Sequence, residues 1–234
     1  MMGGVDVVTA PAPPGPPPAA EPRWVRPFVV TAVALVLLLV GASVGMLLRL
    51  PTGTPEPGPV DVGFSQDMTV HHLQAVTMAA WERDHTDDPV LLQLATDLER
   101  TQNNQVGQMQ GWLALWDESA LPIGGHMAWM DDPAAHGHGS PVTESGGVSR
   151  MPGMASEDEL TRLRASTGPA LDVLFLQLML RHHQGGVEML AYGAEHASVP
   201  QVRNLAAQML GAQSSETEYL RQLLAQRGGE PLPS

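Results

Sequence analysis

Histidine and methionine are the residues of this chain with distinctive chemistry, and they recur in a fixed pattern. Asp61-Val62-Gly63-Phe64-Ser65-Gln66-Asp67-Met68-Thr69-Val70-His71-His72 returns 111 residues later, without a gap, as Asp172-Val173-Leu174-Phe175-Leu176-Gln177-Leu178-Met179-Leu180-Arg181-His182-His183. The same shift pairs Val76 with Val187, Met78 with Met189, His85 with His196, Pro89 with Pro200, Ala95 with Ala206 and Gln102 with Gln213. A repeat kept for packing alone needs to match only in apolar character and spacing. This one also matches in imidazole and thioether. Imidazole by itself suits zinc, copper, nickel or iron, whereas the soft thioether sulfur favours Cu(I).

His71, Met78 and His85 stand seven apart, as do His182, Met189 and His196. On a helix each set is one drifting stripe with neighbours about 10.5 Å apart, too far to share an ion. Any shared site must combine helices. If the repeated helices run antiparallel, Met78 is expected opposite Met189; if parallel, His71 opposite His182. Met68 lies three residues before His71 and four before His72, so one helix can bring both donor types to one point, and Met179 stands likewise to His182 and His183. The expected ligands are His71, His182, Met78 and Met189, then Met68, His72, Met179 and His183, with His85 and His196 on the same stripes. His126, Met127, Met130, His136, His138, Met151 and Met154 lie between the repeats and are expected as auxiliary residues that capture or exchange the ion. The plainer reading is that the methionines fill core gaps and the histidines are hydrogen-bonded core residues.

These residues need helices to position them. Phe64, Met68, His71, Ala75 and Met78/Ala79 mark one helical face over about residues 64–84. His85-Thr86-Asp87-Asp88 breaks it, Asp88 is the expected N-cap, and Pro89 suits the first turn of a second helix over about 89–116. The second repeat copies this, with helices over about 170–196 and 200–227 divided at Ser198-Val199 and stopped by Gly228-Gly229. Between the repeats, Gly124 to Ser149 reads as a loop, and Ser156 with Glu159 as a capping box that opens a short helix closed by Gly168. Two helical hairpins make a four-helix bundle, and a connection of this length could cross it end to end, as in ferritin-like topologies. The expected fold is all-α: a bundle over residues 61–228, with repeats 61–116 and 172–227 and the connection 117–171.

Ahead of the bundle, Pro27 to Leu48 is 22 residues without a charge. A helix of that length covers roughly 33 Å, enough to span a bilayer core. It is expected as a single transmembrane anchor behind a Pro/Ala-rich tail, residues 1–26, and before a linker, residues 49–60. Arg23 and Arg26 before the span against Arg49 after it place the bundle outside the cytoplasm. A signal sequence cleaved near Gly41-Ala42-Ser43 is the alternative; the 26 residues ahead of the run are long for a signal leader.

Cysteine is absent, which excludes disulfides, thiolate metal sites, a Cys nucleophile and Cys-linked lipid. A net charge of -13 argues against nucleic acid as a partner. A di-iron enzyme would need four inward carboxylates and paired Glu-x-x-His motifs. Glu82 and His85 form one such pair, but Gly193 takes the place of Glu82 in the second repeat, so no enzymatic activity is expected.

Taken together, Phe64, Asp67-Met68, His71-His72, Ala75-Val76 and Met78-Ala79, with Met151-Pro152-Gly153-Met154 and Phe175, Met179, Arg181-His182-His183, Val187 and Met189, resemble the bacterial family called domain of unknown function 305. The resemblance covers about residues 60–228. It implies a ferritin-like four-helix bundle, usually exported or membrane-anchored, with some relatives implicated in extracytoplasmic copper binding. Gly185-Gly186 departs from the family's more usual acidic-Gly-Ala after the second histidine pair. The functional expectation is Cu(I) sequestration or hand-over to a copper-handling partner protein. A metal-free structural or interaction bundle is the alternative, and a di-metal oxidase the third reading.

Overall fold

The computed structural model describes residues 24–47, 56–130 and 147–233. The Pro/Ala-rich tail up to residue 23, most of the linker, and His136 and His138 lie outside the described residues. The chain divides into two units, Met1–Gly53 and Thr54–Ser234. In the first, α1 (Val25–Leu47) is long and apolar enough over Val25–Met46 to cross a membrane.

The second unit holds α2 (Pro59–His85), α3 (Pro89–Leu115), the short α4 (Glu157–Ala165), α5 (Pro169–His196) and α6 (Pro200–Gln226). No strand occurs among the described residues; a single backbone bridge joins His126 to Val148. α2 begins five residues earlier than the apolar pattern indicates. Pro59 occupies its first turn, and the Asp61 carboxylate accepts the Gly58 N–H at 2.8 Å. Asp88 caps α3 as expected, accepting from Val90 N at 2.8 Å and Leu91 N at 3.4 Å. Ser156 and Glu159 form the capping box of α4, and Glu159 also accepts both terminal guanidinium nitrogens of Arg181, fastening α4 to α5.

α2 packs with α3, α5 packs with α6, and the two hairpins meet through α2 and α5. Asp61 at the start of α2 accepts the N–H groups of Ser198 and Val199 just beyond α5, while Thr86 at the far end donates to Asp172 at the start of α5. The two repeated helices are therefore antiparallel. Two apolar clusters result. One gathers Phe64, Met68, Met109, Met189 and Met209; the other gathers Met78, Leu98, Phe175, Met179 and Leu220.

Candidate metal centre

Between the two apolar clusters every long helix contributes polar side chains. His71 and His72 of α2, His182 and His183 of α5, Gln102 of α3 and Gln213 of α6 are all at most 5% exposed. The rings of His71 and His182 stack with centroids 3.8 Å apart and planes at 35°. None of their four buried ring nitrogens makes a well-formed hydrogen bond, although the Pro152 backbone lies close to the His71 ring and the His71 backbone close to the His182 ring; Nδ1 of His72 and His183 and Oε1 of Gln102 and Gln213 are likewise buried without a partner. A buried polar atom without a partner costs on the order of 1–3 kcal/mol, and here they converge on one layer.

This meeting departs from the expected register. Antiparallel helices were to set Met78 opposite Met189, yet these residues fall in different clusters and His71 meets His182. Phe64 reaches Gly193 and Thr86 reaches Asp172, so the point about which the two halves exchange lies beside Leu73 and Gln184, two residues from His71 and His182. Gly186 makes room there: a Cβ on it would stand 3.2 Å from His71 Cε1 and 3.4 Å from Gln213 Oε1. Gly185 lets the Pro152 carbonyl reach the surface of α5, so one glycine of the pair admits a loop and the other an imidazole of α2.

Burial keeps His71, His72 and His182 neutral. His71 is pushed down to about 3, by burial first and then by His72. Burial also brings His72 down to about 4, against the raising effect of its Gln105 hydrogen bond. His182 is held well below the ordinary range by burial and then by His71. Neutral imidazole is the form that ligates a metal.

Two outer contacts complete the layer. His72 Nε2 meets Gln105 Oε1 at 2.8 Å, and His183 Nε2 meets Glu216 Oε2 at 2.8 Å. Gln102, Gln213, Gln105 and Glu216 escaped the sequence reading as site residues. Their signal was present, since Gln213 and Glu216 lie 111 residues after Gln102 and Gln105, but glutamine is too common on helices to stand out.

The structure divides the other expected residues. Met68 and Met179 are buried one turn before His71 and His182, on opposite sides of the polar layer. Met78 and Met189 lie further out, each within an apolar cluster. His85 and His196 are exposed, His85 stacked on Trp81 and His196 against Tyr192, so neither joins the layer. Met127, Met130 and Met151 are core residues, at most 2% exposed, and not part of an open loop. Asp67 holds this segment down by accepting from His126 Nδ1 (2.6 Å), the Met127 N–H (2.6 Å) and Trp129 Nε1 (2.7 Å). Met154 is partly buried against the same cluster. Among the described residues no three His, Asp or Glu side chains converge as a set for a hard or borderline cation. What the layer offers is two imidazoles with thioethers a turn away.

Comparison with known proteins bears on this arrangement. The chain resembles the solved DUF305 protein of Streptomyces coelicolor at 38% identity and a TM-score of 0.65, covering 75% of this chain and 98% of that one. A DUF305 fragment from Deinococcus radiodurans aligns at 30% identity and a TM-score of 0.58, over 74% and 99% of the two chains. CopM in its Cu(II)-bound form aligns at 25% identity and a TM-score of 0.53, over 71% and 96%. One stretch of 53 residues is 38% identical to the uncharacterized protein L153 of Acanthamoeba polyphaga mimivirus; the match spans 23% of this chain and 35% of that protein. The family profile described as "Domain of unknown function (DUF305)" matches residues 61–224, nearly the whole of the duplicated bundle. The chain belongs to the DUF305 family.

Proposed function

We propose that the bundle binds copper, preferentially Cu(I), and holds it for sequestration or hand-over without catalysing a reaction. One observation carries this reading: His71 and His182 meet in the buried middle of the bundle with no ring nitrogen in a well-formed hydrogen bond. Imidazole nitrogen flanked by thioether sulfur suits a soft ion, and Cu(I) accepts the low coordination numbers that so few donors allow. His71 and His182 would hold the ion, with Met68 and Met179 as the nearest thioethers along each helix. CopM, a relative solved with Cu(II) bound, supports copper as the cargo. Packing alone accounts for Met127, Met130 and Met151, which are fully engaged in the apolar cluster. We further read α1 as a membrane anchor that keeps the bundle outside the cytoplasm.

The test is an anaerobic Cu(I) competition titration of the full chain in detergent against a chromophoric chelator, beside a His71→Ala/His182→Ala variant. Binding should weaken in the variant by more than the roughly 10–100-fold that loss of a supporting residue costs. Binding kept intact in the variant would move the site to the connection between the repeats. No competition by the wild-type chain would leave the layer as packing. Iron or manganese in the purified protein, with oxygen-dependent turnover, would replace the reading with an oxidase.

A further inference from the structure

The most exposed apolar side chains of the bundle unit gather at one place. Leu115 is 68% exposed, Leu121 57% and Ile123 92%, while no other large apolar side chain described in that unit exceeds 44%. They lie where α3 ends. Trp112, Leu115 and Trp116 share one face of its last turns, and the two half-buried indoles pair with centroids 6.4 Å apart. Asp117, with a φ of +58°, then turns the chain, and Gln66 of α2 donates to the Ser119 carbonyl at 2.8 Å, which holds this segment against α2. Resting on the reading of α1 as a membrane anchor, we infer that this end of the bundle is a docking surface for the lipid bilayer, with Leu115, Leu121 and Ile123 entering the bilayer interface.

The path of the chain selects the bilayer as the occupant. Pro57 and Pro59, where the chain enters α2, line one cavity of about 480 Å3 together with Pro122 and Ile123, so the entry point and the exposed apolar segment are neighbours. Pro57 comes ten residues after Leu47, the last residue of α1, and ten extended residues reach at most about 35 Å. A bilayer crossed by α1 is therefore within reach of this end. The opposite end of α2, a helix of 27 residues, stands about 40 Å away from it. A tether this short acts as an effective concentration in about the millimolar range, so a modest apolar contact is enough. Trp112 and Trp116 suit such a boundary, because indole combines an apolar body with one polar N–H. The charges beside the patch are acidic, with Glu56, Asp117 and Glu118 all exposed, so the contact rests on burial of apolar surface and not on attraction to anionic headgroups.

The chain has no cysteine, so a single introduced thiol carries a fluorophore at one position only. The experiment uses the full chain in phosphatidylcholine nanodiscs that contain nitroxide-bearing lipid. The fluorophore sits at Ala120→Cys, exposed within the patch, or at Val90→Cys, exposed at the opposite end of α3. Position 120 should be quenched and position 90 should stay bright. Adding Leu115→Ser/Leu121→Ser/Ile123→Ser should abolish the quenching at position 120, with far-ultraviolet circular dichroism unchanged and the chain still held in the disc by α1. Raised ionic strength should leave the quenching in place, since screening weakens only contacts between charges. Equal brightness at the two positions, quenching that survives the triple substitution, or quenching lost in salt overturns the docking and leaves the anchor reading standing. A chain that the disc does not retain overturns both.

Discussion

Neutral imidazoles and a protonated carboxyl occupy the interior of this bundle, and each ties stability to pH in its own direction. As pH falls below about 6.5 the unfolded chain takes up protons that His71, at about 3, and His72, at about 4, refuse. Their contribution is present above that pH and is lost progressively towards the folded values. Glu82 acts the other way. Its carboxyl is fully buried, and burial, then the charge and hydrogen bond of the neighbouring Asp172, pushes it up to about 8 from an ordinary 4.5. The folded state keeps a proton that the unfolded chain has lost, so this contribution is complete below about 4.5 and disappears as pH rises through about 8. Denaturant melts of the metal-free protein should show stability falling on both limbs. His71→Gln should flatten the acid limb and Glu82→Gln the alkaline one, the latter by on the order of a few kcal/mol. An alkaline limb unchanged in Glu82→Gln would mean that the carboxyl is ionised at neutral pH.

At the scale of elements, α5 is shaped by what must reach its surface. Gly153 adopts a φ of +77°, and Gly185 leaves the space into which the Pro152 carbonyl descends. The segment is held in place by Gln74, which donates to the Ala155 carbonyl at 3.0 Å and accepts its N–H at 2.7 Å. Gly185→Ala forces backbone apart, so a loss of about 1–3 kcal/mol is expected. Gly211, by contrast, has nothing near the position of a Cβ on exposed α6, and Gly211→Ala should gain about 0.5–1 kcal/mol from helix propensity alone. Thermal melts of the pair separate a packing requirement from a propensity effect. Equal shifts in both variants would show that the loop does not rest on α5 in solution.

At the scale of the whole molecule, α1 decides where the bundle works. If it is the anchor proposed above, the mature protein keeps α1; a start near residue 43 would identify a cleaved signal and a secreted bundle. N-terminal sequencing of the protein from its native host distinguishes them. Much of the fold was legible in the chain. The 111-residue repeat, the Asp88 and Ser156 caps, the prolines at helix starts and the Gly228 stop are local signals, set by backbone chemistry within a few residues, and each helix stands within a few residues of where they place it. The sequence also set the side chains available to the proposed site, imidazole and thioether without thiolate. The partners of those donors were not legible, because register between antiparallel helices is settled by shape across the interface. Phe64 entering the space at Gly193 sets α2 along α5 so that His71, not Met78, stands near the point of exchange. The same packing turns His85 and His196 out to solvent and draws Gln102, Gln213, Gln105 and Glu216 towards the histidines. The sequence by itself determined which atoms could bind a soft ion and on which helices they lie; only the tertiary structure decided which meet, because that rests on the fit of surfaces far apart along the chain.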